Sequence, residues 1–243
     1  MFEQLREASL SEIDALETSV PEKILKIDEK LASLAQSGGL TEVEAKFVAA
    51  AKPDATNEAV AAMLSYARSE AATCVLNLSK YERFIGLCVP RVEDGNNFGV
   101  AVQLETRKFV AEKRQKIKEL FDKCADYHKD RAALWKDIAP KTSVETVTAK
   151  VAATDDETKN AEKTVTKKDS EKTSSETKSS VPHSVLPDAT ASVAALDLSW
   201  YFHLYYTLES VRDAYIACGD VVNKNRQRLQ QPKGDGHSAM TMF

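Results

Sequence analysis

An antiparallel bundle of four long α-helices is the fold this sequence predicts, and three observations carry the prediction. Of 243 residues only 8 are Gly and 7 are Pro, whereas sandwiches, barrels and doubly wound sheets need turn residues at short, regular intervals. Pro53, Pro90, Pro140, Pro182, Pro187 and Pro232 fall at shifts in composition, where a residue that breaks helix interiors belongs. Between those shifts apolar residues recur at helical spacing over long stretches. The apolar fraction of 43% supplies a core, and an aromatic fraction of 7% makes it an interior of Ala, Leu and Val.

The first helix carries Phe2, Leu5, Ile13, Leu16, Val20, Ile24, Ile27, Leu31 and Leu34 and ends at Ser37-Gly38-Gly39. It is expected to bend at Pro21, which alone among the prolines interrupts a helical pattern. Thr41 and Glu44 have capping-box spacing, so one or two helical turns are expected ahead of Lys52-Pro53-Asp54. The second long helix begins near Asn57, carries Val60, Met63, Leu64, Ala71, Val75, Leu78, Phe84 and Leu87, and stops at Val89-Pro90. At about 1.5 Å per residue it is a rod of roughly 50 Å.

Arg91 to Asn97 is irregular, and a third helix then runs from about Phe98 to Ala139 through Val102, Phe109, Ile117, Leu120, Phe121, Cys124, Leu134, Trp135 and Ile138. Pro140 stops it. From 141 to 187 aromatics vanish while Ser, Thr, Lys, Asp and Glu dominate, as in Lys167-Lys168-Asp169-Ser170-Glu171-Lys172. That composition buries too little apolar surface to offset the entropy of ordering, so a disordered tether is expected. The fourth helix resumes near Asp188 and carries Val193, Leu196, Trp200, Leu204, Leu208, Val211, Tyr215, Cys218, Val222 and Leu229 to Gln231-Pro232. A flexible tail, Lys233 to Phe243, follows. The organisation is thus three helices in 1–140, a linker in 141–187, and the fourth helix with its tail in 188–243. Up-down-up-down order puts the 91–97 connection at the same end as both termini.

Lys plus Arg number 33 against 37 Asp plus Glu, a net charge of −4, so neither nucleic acid nor an anionic membrane is the expected partner. The N-terminus opens into a charged amphipathic pattern and no long apolar run occurs, which reads as a soluble intracellular chain. Cys74, Cys88, Cys124 and Cys218 are widely separated and form no C-x-x-C. Reduced, buried thiols are expected, with no zinc site. His128, His183, His203 and His237 lack metal-ligand spacing, and no nucleophile elbow, P-loop or dinucleotide fingerprint is present. No enzyme and no cofactor are expected.

Three features call for a partner or a ligand. Taking Asp94 as the first position of a calcium loop puts Asn96, Gly99 and Glu105 in register, but Phe98 and Val102 then fall where oxygen ligands are required. A polar connection such as this more often touches something than merely turns. The aromatic run Trp200 to Tyr206 covers every face of its helix, more than one bundle core absorbs, which points to self-association. Lys224, Arg226, Arg228 and Lys233 either complement a helix C-terminus or dock on an acidic partner.

Pro90-Arg91-Val92-Glu93-Asp94-Gly95-Asn96-Asn97-Phe98-Gly99-Val100 resembles the activation loop of the 11S proteasome activators, the REG or PA28 family, departing from its P-R-I-E-D-G-N-N-F-G-V only by Val for Ile. Val20-Pro21-Glu22-Lys23-Ile24-Leu25-Lys26-Ile27-Asp28 is similar to the family's F-P-K-K-L-L-E-L-D. Tyr215, Asp220, Lys224-Asn225 and Pro232-Lys233 follow its order at the end of helix 4, and Met240-Thr241-Met242-Phe243 is similar to its apolar-aromatic C-termini.

The resemblance implies a homo-heptameric ring of four-helix protomers that caps the 20S proteasome without ATP, in the cytoplasm, the nucleus or both. It implies that Lys233, Met240, Thr241, Met242 and Phe243 bind pockets of the α-ring. It implies too that Arg91, Glu93, Asp94, Gly95, Asn96, Asn97 and Phe98 form the loop that opens the gate. Three departures stand out. The connection at 37–56 lacks the basic nuclear-targeting cluster of gamma-type members, the helix 3–4 linker is much longer than in vertebrate members, and Phe243 replaces a terminal Tyr. The other classes of function the residues allow are a structural helical scaffold that oligomerises without touching proteasomes and a calcium-regulated helical adaptor.

Overall fold

The computed structural model describes residues 1–35, 40–51, 55–90, 98–138 and 187–232. They form α1 (Phe2–Ala35), α2 (Leu40–Ala50), α3 (Glu58–Cys88), α4 (Phe98–Lys123), α5 (Asp126–Ile138) and α6 (Pro187–Gln230), with no strand among the described residues. The all-α expectation holds. Of the expected tether, 141–187, only Pro187 is described. It opens α6, where a proline is tolerated because the first N–H of a helix has no partner in any case.

Interhelical bonds fix the order. Arg6 Nε donates to the Leu87 carbonyl at 3.1 Å and Arg83 pairs with Glu12, so α1 and α3 are antiparallel. Arg114 on α4 pairs with Glu82 on α3. Arg212 on α6 reaches Asp28 at 3.1 Å, and Arg226 takes Asp14 and Glu17, so α6 runs antiparallel to α1. In the core, across the bundle, the parallel helices α3 and α6 meet, and Asn77 Nδ2 donates to the Tyr215 hydroxyl at 3.0 Å. The start of α1, the end of α3, the start of α4 and the end of α6 therefore share one end of the bundle.

Local chemistry explains the boundaries. Asn57 Oδ1 accepts from the Ala59 and Val60 N–H groups at 3.1 and 3.3 Å, satisfying two donors that α3 itself cannot. Val89, held extended at ψ 121° by the proline after it, ends that helix. The Thr41 stretch is the eleven-residue α2, longer than the one or two turns expected. α1 continues through Pro21. The third sequence helix is not continuous: Ala125 N–H bonds to Asp122 at 3.1 Å, a tightened turn separating α4 from α5. The break lets Cys124, Tyr127 and Arg131 all be buried, and Tyr127 and Arg131 reach α6. Periodicity alone could not register a break that small.

The interior is less purely aliphatic than composition suggested, because the largest fully buried side chains are Tyr81, Tyr127 and Tyr215, packed with Phe84, Leu78, Leu204, Leu208 and Leu229. The aromatic run on α6 is also partly absorbed within the chain. Tyr201 meets Phe47 of α2 edge-on at 5.3 Å, and Trp200 lies 5.8 Å from Tyr127 of α5 and 5.1 Å from His203. Tyr206, at 58% exposure, remains on the outer face.

All four thiols are buried. Burial pushes Cys74 and Cys218 up to about 12, and it is also the first cause raising Tyr81, Tyr127 and Tyr215. Above the ordinary thiol pKa of about 8.5 the unfolded chain releases protons that the folded chain still holds, so stability must fall as pH rises. The urea midpoint is expected to drop progressively above about pH 9. A thiol reagent at about pH 8 should label the folded chain orders of magnitude more slowly than the unfolded one. Fast labelling of the native chain would contradict this core.

Candidate functional site

The chemistry-bearing end of the bundle is built from helix termini, whose last carbonyls and first N–H groups lack partners within their own helices. α3 ends without a glycine cap or a basic residue in its last turn. Its carbonyls are met instead by other helices: Leu87 by Arg6 of α1, and Cys88 by Gln103 Nε2 of α4 at 3.0 Å. The same Nε2 donates to the Leu229 carbonyl of α6 at 2.7 Å. Gln103 is fully buried.

α4 begins against α6. The Phe98 ring lies beneath the Arg228 guanidinium, 5.4 Å from centroid to Cζ, and the residue is 62% exposed. At Gly99 a methyl would fall 2.6 and 2.7 Å from the carbonyl carbon and Cα of Pro232. Only glycine permits that approach. Phe2 and Leu5 of α1, written into the periodic face of the first helix, are in fact exposed at this end.

Of the residues singled out from sequence, Arg91, Glu93, Asp94, Gly95, Asn96 and Asn97 lie outside the described residues, as do Lys233, Met240, Thr241, Met242 and Phe243. Phe98 is described, and the structure joins both stretches at their roots: 91–97 runs between Pro90 and Phe98, and the tail leaves from Pro232 beside Gly99. The calcium register fails on geometry as well, since 98–105 is helical and Gly99 packs on Pro232. Of the basic string, Lys224 pairs with Asp220, Arg226 with Asp14 and Glu17, and Arg228 with Phe98. Arg226 and Arg228 thus join helices of the same chain, while Lys224 pairs along its own helix on the exposed surface.

Sequence reading missed Gln103, although a signal exists: Gly99, Gln103, Thr106, Val110 and Ile117 form one helical stripe, all buried. It also missed Asp197, on the same stripe as Val193, Trp200 and Leu204. At the opposite end of the bundle Asp197 Oδ1 accepts from the Tyr127 hydroxyl at 2.9 Å and Arg131 Nε at 3.1 Å. A cleft of about 500 Å³ between α3 and the α4–α5 junction is lined by Leu64, Arg68, Phe121, Cys124 and His128. Among the described residues no three His, Cys, Asp or Glu side chains converge, and no helix is long and apolar enough to cross a membrane.

Comparison with known proteins agrees with this architecture. The family described as proteasome activator PA28, C-terminal, matches residues 54–168 and 145–239. Proteasome activator complex subunit 3 of Homo sapiens, Mus musculus and Gallus gallus is 21% identical over 188 residues, 77% of this chain. The match takes in only 57% of the length of each of those relatives. The crystal structure of the 11S subunit of the Plasmodium falciparum proteasome, PA28, superposes with a TM-score of 0.63 at 18% identity, covering 96% of this chain and 92% of that one.

Proposed function

The chain belongs to the proteasome activator PA28 family, and from that membership we propose that it assembles as a homo-heptameric ring, binds the 20S proteasome and opens its gate without ATP. The observation that supports this reading best is the meeting of Pro90, Phe98, Gly99 and Pro232, the roots of the polar loop and of the apolar tail, at one end of the bundle. A molecule that anchors by one segment and presses with another needs both on the same face.

In this reading Met240 to Phe243, together with Lys233, enter pockets between subunits of the α-ring. Glu93, Asp94, Gly95, Asn96 and Asn97 press on the turns that support the gating tails, with Arg91 and Phe98 at the loop's edges. Seven weak tails acting together make a stable cap, because each further engagement is intramolecular. The activator does no chemistry of its own; hydrolysis belongs to the proteasome.

Hydrolysis of a fluorogenic tripeptide by 20S proteasome, with and without the intact chain, tests the proposal. Stimulation is expected, and none would overturn it. Native mass is the companion measurement: seven copies of a 26.8 kDa chain give about 188 kDa, and a monomer would contradict the ring.

A further inference from the structure

We infer that Gln103 and Gly99 are positioning residues that hold both ends of the loop against the root of the tail, so that the anchored end of the bundle sets where the loop sits; this rests on the proteasome reading above. A primary amide has two N–H donors. Gln103 gives one to the carbonyl of Cys88, the last residue of α3 before the loop, and the other to the carbonyl of Leu229, in the last turn of α6 before the tail. With its amide turned over, an oxygen would face two carbonyl oxygens, so the network itself assigns the orientation.

Gly99 closes the same knot from the other side of the loop. It is the second residue of α4, and its missing side chain lets the Pro232 backbone rest on the loop's exit. The loop's entrance, the loop's exit and the tail's root are therefore tied by two buried hydrogen bonds and one backbone contact. Helix ends ordinarily fray, and a segment attached to a frayed end samples many positions. Here three ends are locked to one another, and the side chain that locks them lies outside both functional segments.

The consequence is a separation of binding from activation. Met240 to Phe243 lie eight or more positions beyond Pro232, so loosening the knot at the tail's root leaves most of the grip intact. The loop then holds its pressing position for a smaller fraction of time, and activity at full occupancy falls by that fraction. Each buried hydrogen bond is worth roughly a five-fold factor in the ratio of locked to unlocked arrangements, so loss of both amide bonds lowers that ratio on the order of thirty-fold.

The test uses the full chain with Gln103→Leu, which keeps the volume and removes both donors, and Gly99→Ala, which drives a methyl into Pro232. Binding to 20S proteasome is followed by co-sedimentation, and the plateau of tripeptide hydrolysis is read at saturating activator. For each variant the binding midpoint should stay within about two-fold of wild type, while the plateau falls several-fold, on the order of five-fold or more. Plateaus equal to wild type overturn the coupling while leaving the proteasome reading intact. Parallel loss of binding and plateau, with a lowered melting temperature, also overturns it, because Gln103 and Gly99 would then serve folding alone. If Gln103→Leu does not fold, Gly99→Ala decides by itself. Wild-type chain that fails to stimulate sinks the proteasome reading, and the coupling with it.

Discussion

A chain lacking Met240 to Phe243 is expected to lose its binding to the 20S proteasome, and Asn96→Tyr is expected to keep binding and lose stimulation. The first effect is large because it would be multiplied around the proposed ring. Linked sites gain on the order of 10²–10⁴ in apparent affinity over one site, and truncation removes the Phe243 ring and two methionines from every protomer of the proposed ring at once. The second follows from the division of labour. Asn96 lies between ends held at Cys88 and Gly99, and in the proposed role a phenol ring there would alter the pressing surface while the tail is untouched. Co-sedimentation and peptide hydrolysis on the same samples separate the two. Equal loss of binding in both variants would refute the division.

Asp197→Ala is expected to cost stability rather than activity. Its carboxylate lies fully buried between α5 and α6, holding the Tyr127 hydroxyl and Arg131 Nε at 2.9 and 3.1 Å. Removing one member of a buried ion pair costs about 3–5 kcal/mol, because the groups it neutralised stay in a low-dielectric place. Tyr127→Phe removes one hydrogen bond and should cost about 1 kcal/mol. Urea unfolding at fixed protomer concentration reads both, and an Asp197→Ala midpoint equal to wild type would show the pair to be dispensable. Asp197 sits at the end of the bundle remote from the loop, so the folded fraction should stimulate as the unmodified chain does.

The PA28 membership is shown by the family match over 54–168 and 145–239, ranges that include the run Pro90 to Val100 and the end of helix 4, where the resemblance is legible in the sequence. The long helices were equally legible. Their apolar spacing, the Asn57 cap and the prolines at 90, 187 and 232 mark where α3 and α6 start and stop, since helix formation and termination depend on residues a few positions apart. Local chemistry also singled out the loop and the tail, the segments proposed to act.

Contacts between residues far apart in the chain were decided only by the fold. Whether α4 runs on into α5 depends on where Tyr127 and Arg131 must point to reach Asp197, seventy and sixty-six positions away. Whether the α6 aromatics need another subunit depends on α2, whose Phe47 covers Tyr201. Gln103 reads as an ordinary polar residue until Cys88 and Leu229 are brought to it from fifteen and 126 positions distant. Spacing encodes which face of a helix turns inward. What waits there to accept a hydrogen bond is set by the other helices, and that is the tertiary structure's contribution to how this chain would work.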